Sequence, residues 1–107
     1  FLGTGGAPEG VLAAAALSCL NCQMQARLVF QNENEKKRAS DFGIKNLNKK
    51  YNLQDMIKGD VIFCATAITD GNIIKGIKDF DKYFRAETLV AHKSSKTFSV
   101  ITENIIK

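Results

Sequence analysis

Gly3-Thr4-Gly5-Gly6-Ala7-Pro8-Glu9-Gly10-Val11 opens the chain and runs into the alanine-rich stretch Leu12-Ala13-Ala14-Ala15-Ala16-Leu17. Glycine readily takes positive φ and can present consecutive N–H groups to an anion. Proline suits the first helical turn, where its missing N–H costs nothing. The stretch therefore predicts a loop poised at the N-terminus of a helix. Such a terminus carries partial positive charge and unpaired N–H groups, so a phosphate can settle against Gly5 and Gly6. Glu9 sets a carboxylate beside it, and the two anions repel unless a hard divalent cation bridges them. The residues alone leave Glu9 open between two roles: a ligand to metal-bound phosphate, or a first-turn carboxylate that only pairs with the helix dipole.

Working outward, Pro8 to about Leu20 reads as a helix with no polar face, expected to be buried nearly all round, its alanines allowing close approach to a sheet. Met24 to Gln31 alternates with the period of a strand, Ala26, Leu28 and Phe30 on one side. Asn32 with Glu35 has the form of a helix-capping pair, and Gly43 offers the stop. Lys45 to Tyr51 reads as a polar connector, after which Asn52 caps a short helix through Met56 that ends at Gly59. Val61 to Ala67 is a continuous apolar run, expected to be a strand covered on both faces at the centre of the sheet, with Val61 to Phe63 packed against the alanine face of the first helix. Thr69-Asp70-Gly71 is a turn, with Asp70 more a turn former than a ligand. Phe84 to Ala91 and Thr97 to Thr102 flank Lys93-Ser94-Ser95-Lys96 as two strands flank a hairpin turn, and the chain closes on the strand-like Ile105-Ile106.

A length of 107 residues gives one domain with one core. No apolar run reaches the roughly 20 residues that span a bilayer, and Val11 to Leu20 lacks the basic flank of a signal peptide, so no membrane association and a cytoplasmic location are expected. The net charge of +4 suits a phosphorylated substrate, while the dispersed lysines lack the basic or aromatic stripe of a nucleic-acid binder. Three cysteines, an odd number, argue against a disulfide framework, and Cys19-Leu20-Asn21-Cys22 ends a helix where a redox pair would open one.

Gly5-Gly6-Ala7-Pro8-Glu9-Gly10-Val11 with its alanine-rich helix resembles a signature of class II fructose-1,6-bisphosphatases, the bacterial type that often also accepts sedoheptulose-1,7-bisphosphate. Val61-Ile62-Phe63-Cys64-Ala65-Thr66-Ala67-Ile68-Thr69-Asp70-Gly71, continued by Ile73-Ile74-Lys75-Gly76, is similar to that family's strand-and-turn segment. Glu87-Thr88-Leu89 and the Lys93 to Lys96 turn resemble its closing hairpin. The resemblance implies an α/β fold with a mixed sheet flanked by helices, residues 1–107 forming the carboxy-terminal domain or fragment of a longer metal-dependent sugar phosphatase. The whole enzyme would release the 1-phosphate of fructose 1,6-bisphosphate in gluconeogenesis, using manganese or magnesium. Residue by residue, it implies Glu9 as a metal ligand and Gly6, with Gly5 a lesser candidate, as a backbone contact to the sugar phosphate. No catalytic residue is implied here, and the remaining acidic ligands fall upstream, so the chain alone is expected to be inactive and, with apolar surface uncovered, to form a homo-oligomer. Two positions depart from the pattern: Ala67 stands where glycine is usual and His92 where arginine is. The competing reading is a degenerate, non-catalytic remnant that oligomerises or binds phosphate.

Overall fold

The computed structural model describes residues 2–107. Helix α1 (Ala7–Cys19) has Gly6 as its N-cap residue and Pro8 in its first turn, and it ends at Leu20 as Asn21 turns to a φ of 55°. Strand β1 (Gln25–Arg27) follows, much shorter than the alternating stretch that predicts it. Helix α2 (Glu33–Asp41) is held by the capping pair expected: Asn32 Oδ1 accepts the Glu35 N–H at 2.9 Å, and Glu35 Oε2 accepts the Gln31 N–H at 2.8 Å. Gly43, at a φ of 91°, supplies the left-handed residue that stops it.

Strand β2 (Lys50–Asn52) pairs antiparallel with β1, so the end of the Lys45–Tyr51 stretch is strand and not connector. This pairing explains the shortness of β1. Asn52 is both the last residue of β2 and the cap of α3 (Leu53–Met56): its Oδ1 accepts the Asp55 N–H and its backbone N–H donates to Asp55 Oδ2, a complete capping box. The ladder has no partner residues beyond Arg27↔Lys50 and Gln25↔Asn52.

The second sheet is built on a long hairpin. After β3 (Ile62–Thr66) and the two-residue β4 (Lys78–Asp79), strands β5 (Tyr83–His92) and β6 (Thr97–Ile106) pair along their whole lengths, from Tyr83↔Ile106 to His92↔Thr97. Along the other edge of β5 lie β3, opposite Thr88 to His92, and β4, opposite Phe84 and Arg85. All these pairs are antiparallel.

The core forms where α1 crosses β3 and β5. Cys19, Leu89 and Ala91 are buried there, with Val61, Phe63 and Ile74 packed against them, and Ala14 and Ala15 are buried on the same helix. The expected packing of the first helix on the Val61–Phe63 segment is therefore present.

Two expectations of burial fail. Strand β3 is not central: among the described residues it pairs with β5 alone, and its residues alternate between exposed and half-buried. Helix α1 is not enclosed, since Val11 and Leu12 face outward. Both readings assumed enough chain to cover two sides of the sheet, whereas α1 is the helix that packs on it and α2 buries no residue. The radius of gyration, 17.8 Å, records this openness, because a closed domain of this length has about 13 Å.

Candidate functional site

The glycine loop and Glu9 meet at the start of α1. Gly6 is extended, with φ −68° and ψ 156°, and its carbonyl accepts the Gly10 N–H at 3.1 Å, the first intrahelical bond. With Pro8 lacking a donor, the unpaired first-turn N–H groups belong to Ala7 and Glu9. Neither Gly5 nor Gly6 has positive φ, so the expected left-handed nest is absent and the glycines serve in another way. A Cβ built on Gly6 collides with Glu9 Oε2: the carboxylate of Glu9 folds back over the bare Cα of Gly6. Gly5, by contrast, has open space around its Cα. Gly5, Gly6 and Glu9 are all exposed, and among the described residues the Glu9 carboxylate has no hydrogen bond or ion pair.

This arrangement offers an anion the positive end of a 13-residue helix and a cation one carboxylate oxygen pair. It is not a complete metal site. No group of three or more His, Cys, Asp or Glu residues able to hold an ion occurs among the described residues, and divalent ions such as Mg²⁺ or Mn²⁺ want about six oxygen ligands. The grooves beside β1, about 520 and 220 Å³, are lined by Leu2, Gln25, Asn52 and neighbours and include none of Gly5, Gly6 and Glu9.

The densest polar geometry lies elsewhere. Asp60, just before β3, accepts from the Val61 and Ser94 N–H groups through Oδ1 and from Ser94 Oγ through Oδ2, while His92 Nε2 stands 2.7 Å from Oδ2. An ionised carboxylate only accepts, so Nε2 carries the proton. His92 Nδ1 meets Ser95 Oγ at 2.7 Å. The hydrogen bonds from His92 and then Ser94 draw the Asp60 pKa down to about 2. His92 is thus a half-buried strand residue tied to a carboxylate 32 positions away, a separation no local pattern reveals.

A second carboxylate pair fastens the loop between β3 and β4. Asp70 Oδ1 accepts the Gly76 N–H at 2.8 Å and both Asp70 oxygens lie 3.0 Å from Lys78 Nζ; these two partners, the backbone bond first, lower the Asp70 pKa. Glu87 Oε2 accepts the Lys75 N–H at 2.8 Å. Asp70 is therefore a turn former, as its sequence context predicts. Ala67, in the position of a usual glycine, has no positive φ and needs none.

A family model described as bacterial fructose-1,6-bisphosphatase, glpX-encoded, matches residues 1–105. A Synechococcus sp. (strain JA-3-3Ab) protein named D-fructose 1,6-bisphosphatase class 2/sedoheptulose 1,7-bisphosphatase is 35% identical over 110 residues, covering 91% of this chain and 32% of its own. A Haemophilus influenzae protein named fructose-1,6-bisphosphatase class 2 is 38% identical over 113 residues, covering 92% of this chain and 34% of its own. The chain spans about a third of the length of the curated relatives it matches.

Proposed function

The chain belongs to the glpX-type bacterial fructose-1,6-bisphosphatases, and from that premise we propose that it is the carboxy-terminal portion of a cytoplasmic, divalent-metal-dependent phosphatase acting on the 1-phosphate of fructose 1,6-bisphosphate. Sedoheptulose 1,7-bisphosphate is a second substrate on this reading, as the name of the Synechococcus relative includes it. Glu9 is one oxygen ligand to the metal, manganese or magnesium, and Gly6 approaches the sugar phosphate through its backbone, with Gly5 beside it. The observation that carries the assignment is the Glu9 carboxylate lying over the bare Cα of Gly6 at the positive end of α1. That contact makes the two residues one unit: a side chain at position 6 displaces the carboxylate.

A bound divalent ion would neutralise charge on the phosphoryl oxygens and lower the pKa of a water nucleophile. One carboxylate cannot hold such an ion against water, so turnover requires acidic residues beyond those described here. The isolated chain, with apolar side chains open to solvent, self-associates and does not hydrolyse the substrate.

The test is phosphate release from fructose 1,6-bisphosphate with Mn²⁺ or Mg²⁺, by this chain alone and by a chimera in which it replaces the matching third of the Haemophilus influenzae relative. The chain alone should match buffer and the chimera should turn over. Glu9→Gln in the chimera should lower kcat by about 100-fold or more without changing its melting temperature, the scale on which losing an electrostatic group of the transition state acts. Activity in Glu9→Gln equal to that of the unaltered chimera would remove Glu9 from the metal site.

A further inference from the structure

The polar cluster at the turn between β5 and β6 takes no part in the Glu9 site, and it sets an acid, a base and a hydroxyl in one row. His92, the last residue of β5, stands between Asp60 Oδ2 on its Nε2 and Ser95 Oγ on its Nδ1, each at 2.7 Å. Asp60 stays ionised, its pKa drawn down to about 2, so the imidazole proton sits on Nε2 and Nδ1 keeps a lone pair. The Ser95 hydroxyl therefore donates to Nδ1, and its oxygen accepts from Thr97 Oγ1 at 2.9 Å. Ser94 is placed differently. Its Oγ donates to Asp60 Oδ2 and its N–H to Asp60 Oδ1, both at 2.9 Å, so its donors fix the carboxylate. The Ser95 N–H has no backbone partner among the described residues. An arginine, usual at position 92 in the family pattern, has no lone pair to offer, so the base belongs to this chain and not to that pattern.

We propose that Ser95, His92 and Asp60 form a second reactive site, in which Ser95 Oγ takes the acyl group of a small activated carboxylic ester and passes it to water. A nucleophile within hydrogen-bond reach of a base, the base in turn oriented by a third group, is the arrangement that activates a hydroxyl. Ser95 Oγ attacks the ester carbonyl carbon while its proton passes to His92 Nδ1, and the imidazolium is stabilised by Asp60. Collapse of the tetrahedral adduct breaks the bond to the leaving alcohol, which takes that proton, and leaves acyl-Ser95 beside a neutral His92. Water, deprotonated by the same Nδ1, then releases the carboxylic acid and restores the hydroxyl. The Ser95 N–H is free to donate to the oxyanion, as a serine nucleophile's own amide does in an oxyanion hole. Ser94, Ser95 and Lys96 are exposed, so a small ester with a good leaving group reaches the hydroxyl without entering a cleft. Asp60 is a positioning residue, since it acts through His92.

The experiment treats the 107-residue chain with a fluorophosphonate, which bonds to an activated hydroxyl with loss of fluoride, and follows each serine by peptide mass. Ser40 and Ser99 are exposed and have no hydrogen bond to the histidine, so they serve as references within the same molecule. Ser95 should be modified about 100-fold faster than either, the lower end of what a positioned base supplies. In urea the three should react alike. His92→Arg keeps a cation against Asp60 but removes the base, so Ser95 should fall to the reference rate while the melting temperature is retained. Should that variant not melt cooperatively, His92→Gln is read in the same way. In parallel, hydrolysis of p-nitrophenyl acetate should exceed that of Ser95→Ala. The part played by Asp60 is read from the ring nitrogen NMR shifts of His92, unambiguous because the chain has a single histidine. The neutral ring should carry its proton on Nε2. Four results each overturn the proposal: Ser95 reacting at the rate of Ser40 and Ser99 in the folded chain, fast Ser95 labelling that persists in His92→Arg, hydrolysis no greater than in Ser95→Ala, or a neutral ring protonated on Nδ1.

Discussion

The two halves of the molecule are held by different physics. From Asp60 onward, β5 and β6 are long and pair in one continuous register, and carboxylates reach across 32 and 12 residues to fasten turns. Before Asp60, apart from the packing of α1 and a three-residue ladder between β1 and β2, structure is local: caps at Asn32 and Asn52 and a polar helix that buries nothing. The contrast teaches where cooperativity resides. A change in the hairpin half should be felt by the whole fold, and a change in the other half should stay where it is made.

The sharpest way to break that comparison is at two glycines. Gly76 has no room for a side chain: its Cβ would stand 2.5 Å from the Ile68 carbonyl oxygen and 2.6 Å from the Thr69 carbonyl carbon, backbone that cannot swing aside. Gly76→Val should cost about 3 kcal/mol, the upper part of the range for overpacking, read as a lowered urea midpoint. Gly5→Ala, with nothing near its Cα, should lie within about 0.5 kcal/mol of the original. Equal effects at both positions would show that the hairpin half is not the cooperative unit.

Next in size is the join between the halves. Ala15 is buried where α1 packs on the sheet, so Ala15→Leu should overpack it by about 1–3 kcal/mol and lower the melting temperature. An unchanged melt would mean that α1 is not part of the sheet's folding unit.

How much of this was legible in the sequence divides along the same line. Caps at Asn32 and Asn52, the stop at Gly43 and the hairpin over Lys93 to Lys96 are local chemistry and are read correctly from a few residues each. The burial of Val61 to Ala67 and of α1 is misread because burial depends on what covers an element, which an apolar run cannot report. The Asp60–His92 link and the Glu87 clasp are invisible in sequence because they depend on register between distant strands. Of the candidate site, the pairing of Gly6 with Glu9 is legible from the motif; its geometry is not, since the motif suggests left-handed glycines and the structure uses an extended one.

The Asp60 clasp supplies a pH test. Its pKa is about 2, below the ordinary value of 3.8, so its contribution to stability is in full above pH 3.8 and is lost as pH falls through 2. Asp60→Asn should lower the melting temperature at pH 6, and the gap from the original should close as pH falls from 4 to 2. A gap constant over that range would show that the charge of Asp60 does not hold the hairpin turn.

A small and local cost is expected at Asn32, and it sharpens the comparison most. Its side chain caps α2 by accepting the Glu35 N–H, and Glu35 returns a carboxylate to the Gln31 N–H, so Asn32→Ala removes half of a reciprocal pair. N-cap losses of this kind cost about 1 kcal/mol. Because α2 buries no residue, that cost should not couple to the sheet. Amide exchange in Glu33–Asp41 should quicken about fivefold, the factor for 1 kcal/mol, while exchange in β5 and β6 and the global melt stay unchanged. A lowered global melt in Asn32→Ala would mean that α2 is braced against the remainder of the fold, and that the amino-terminal half shares the cooperativity assigned to the hairpin.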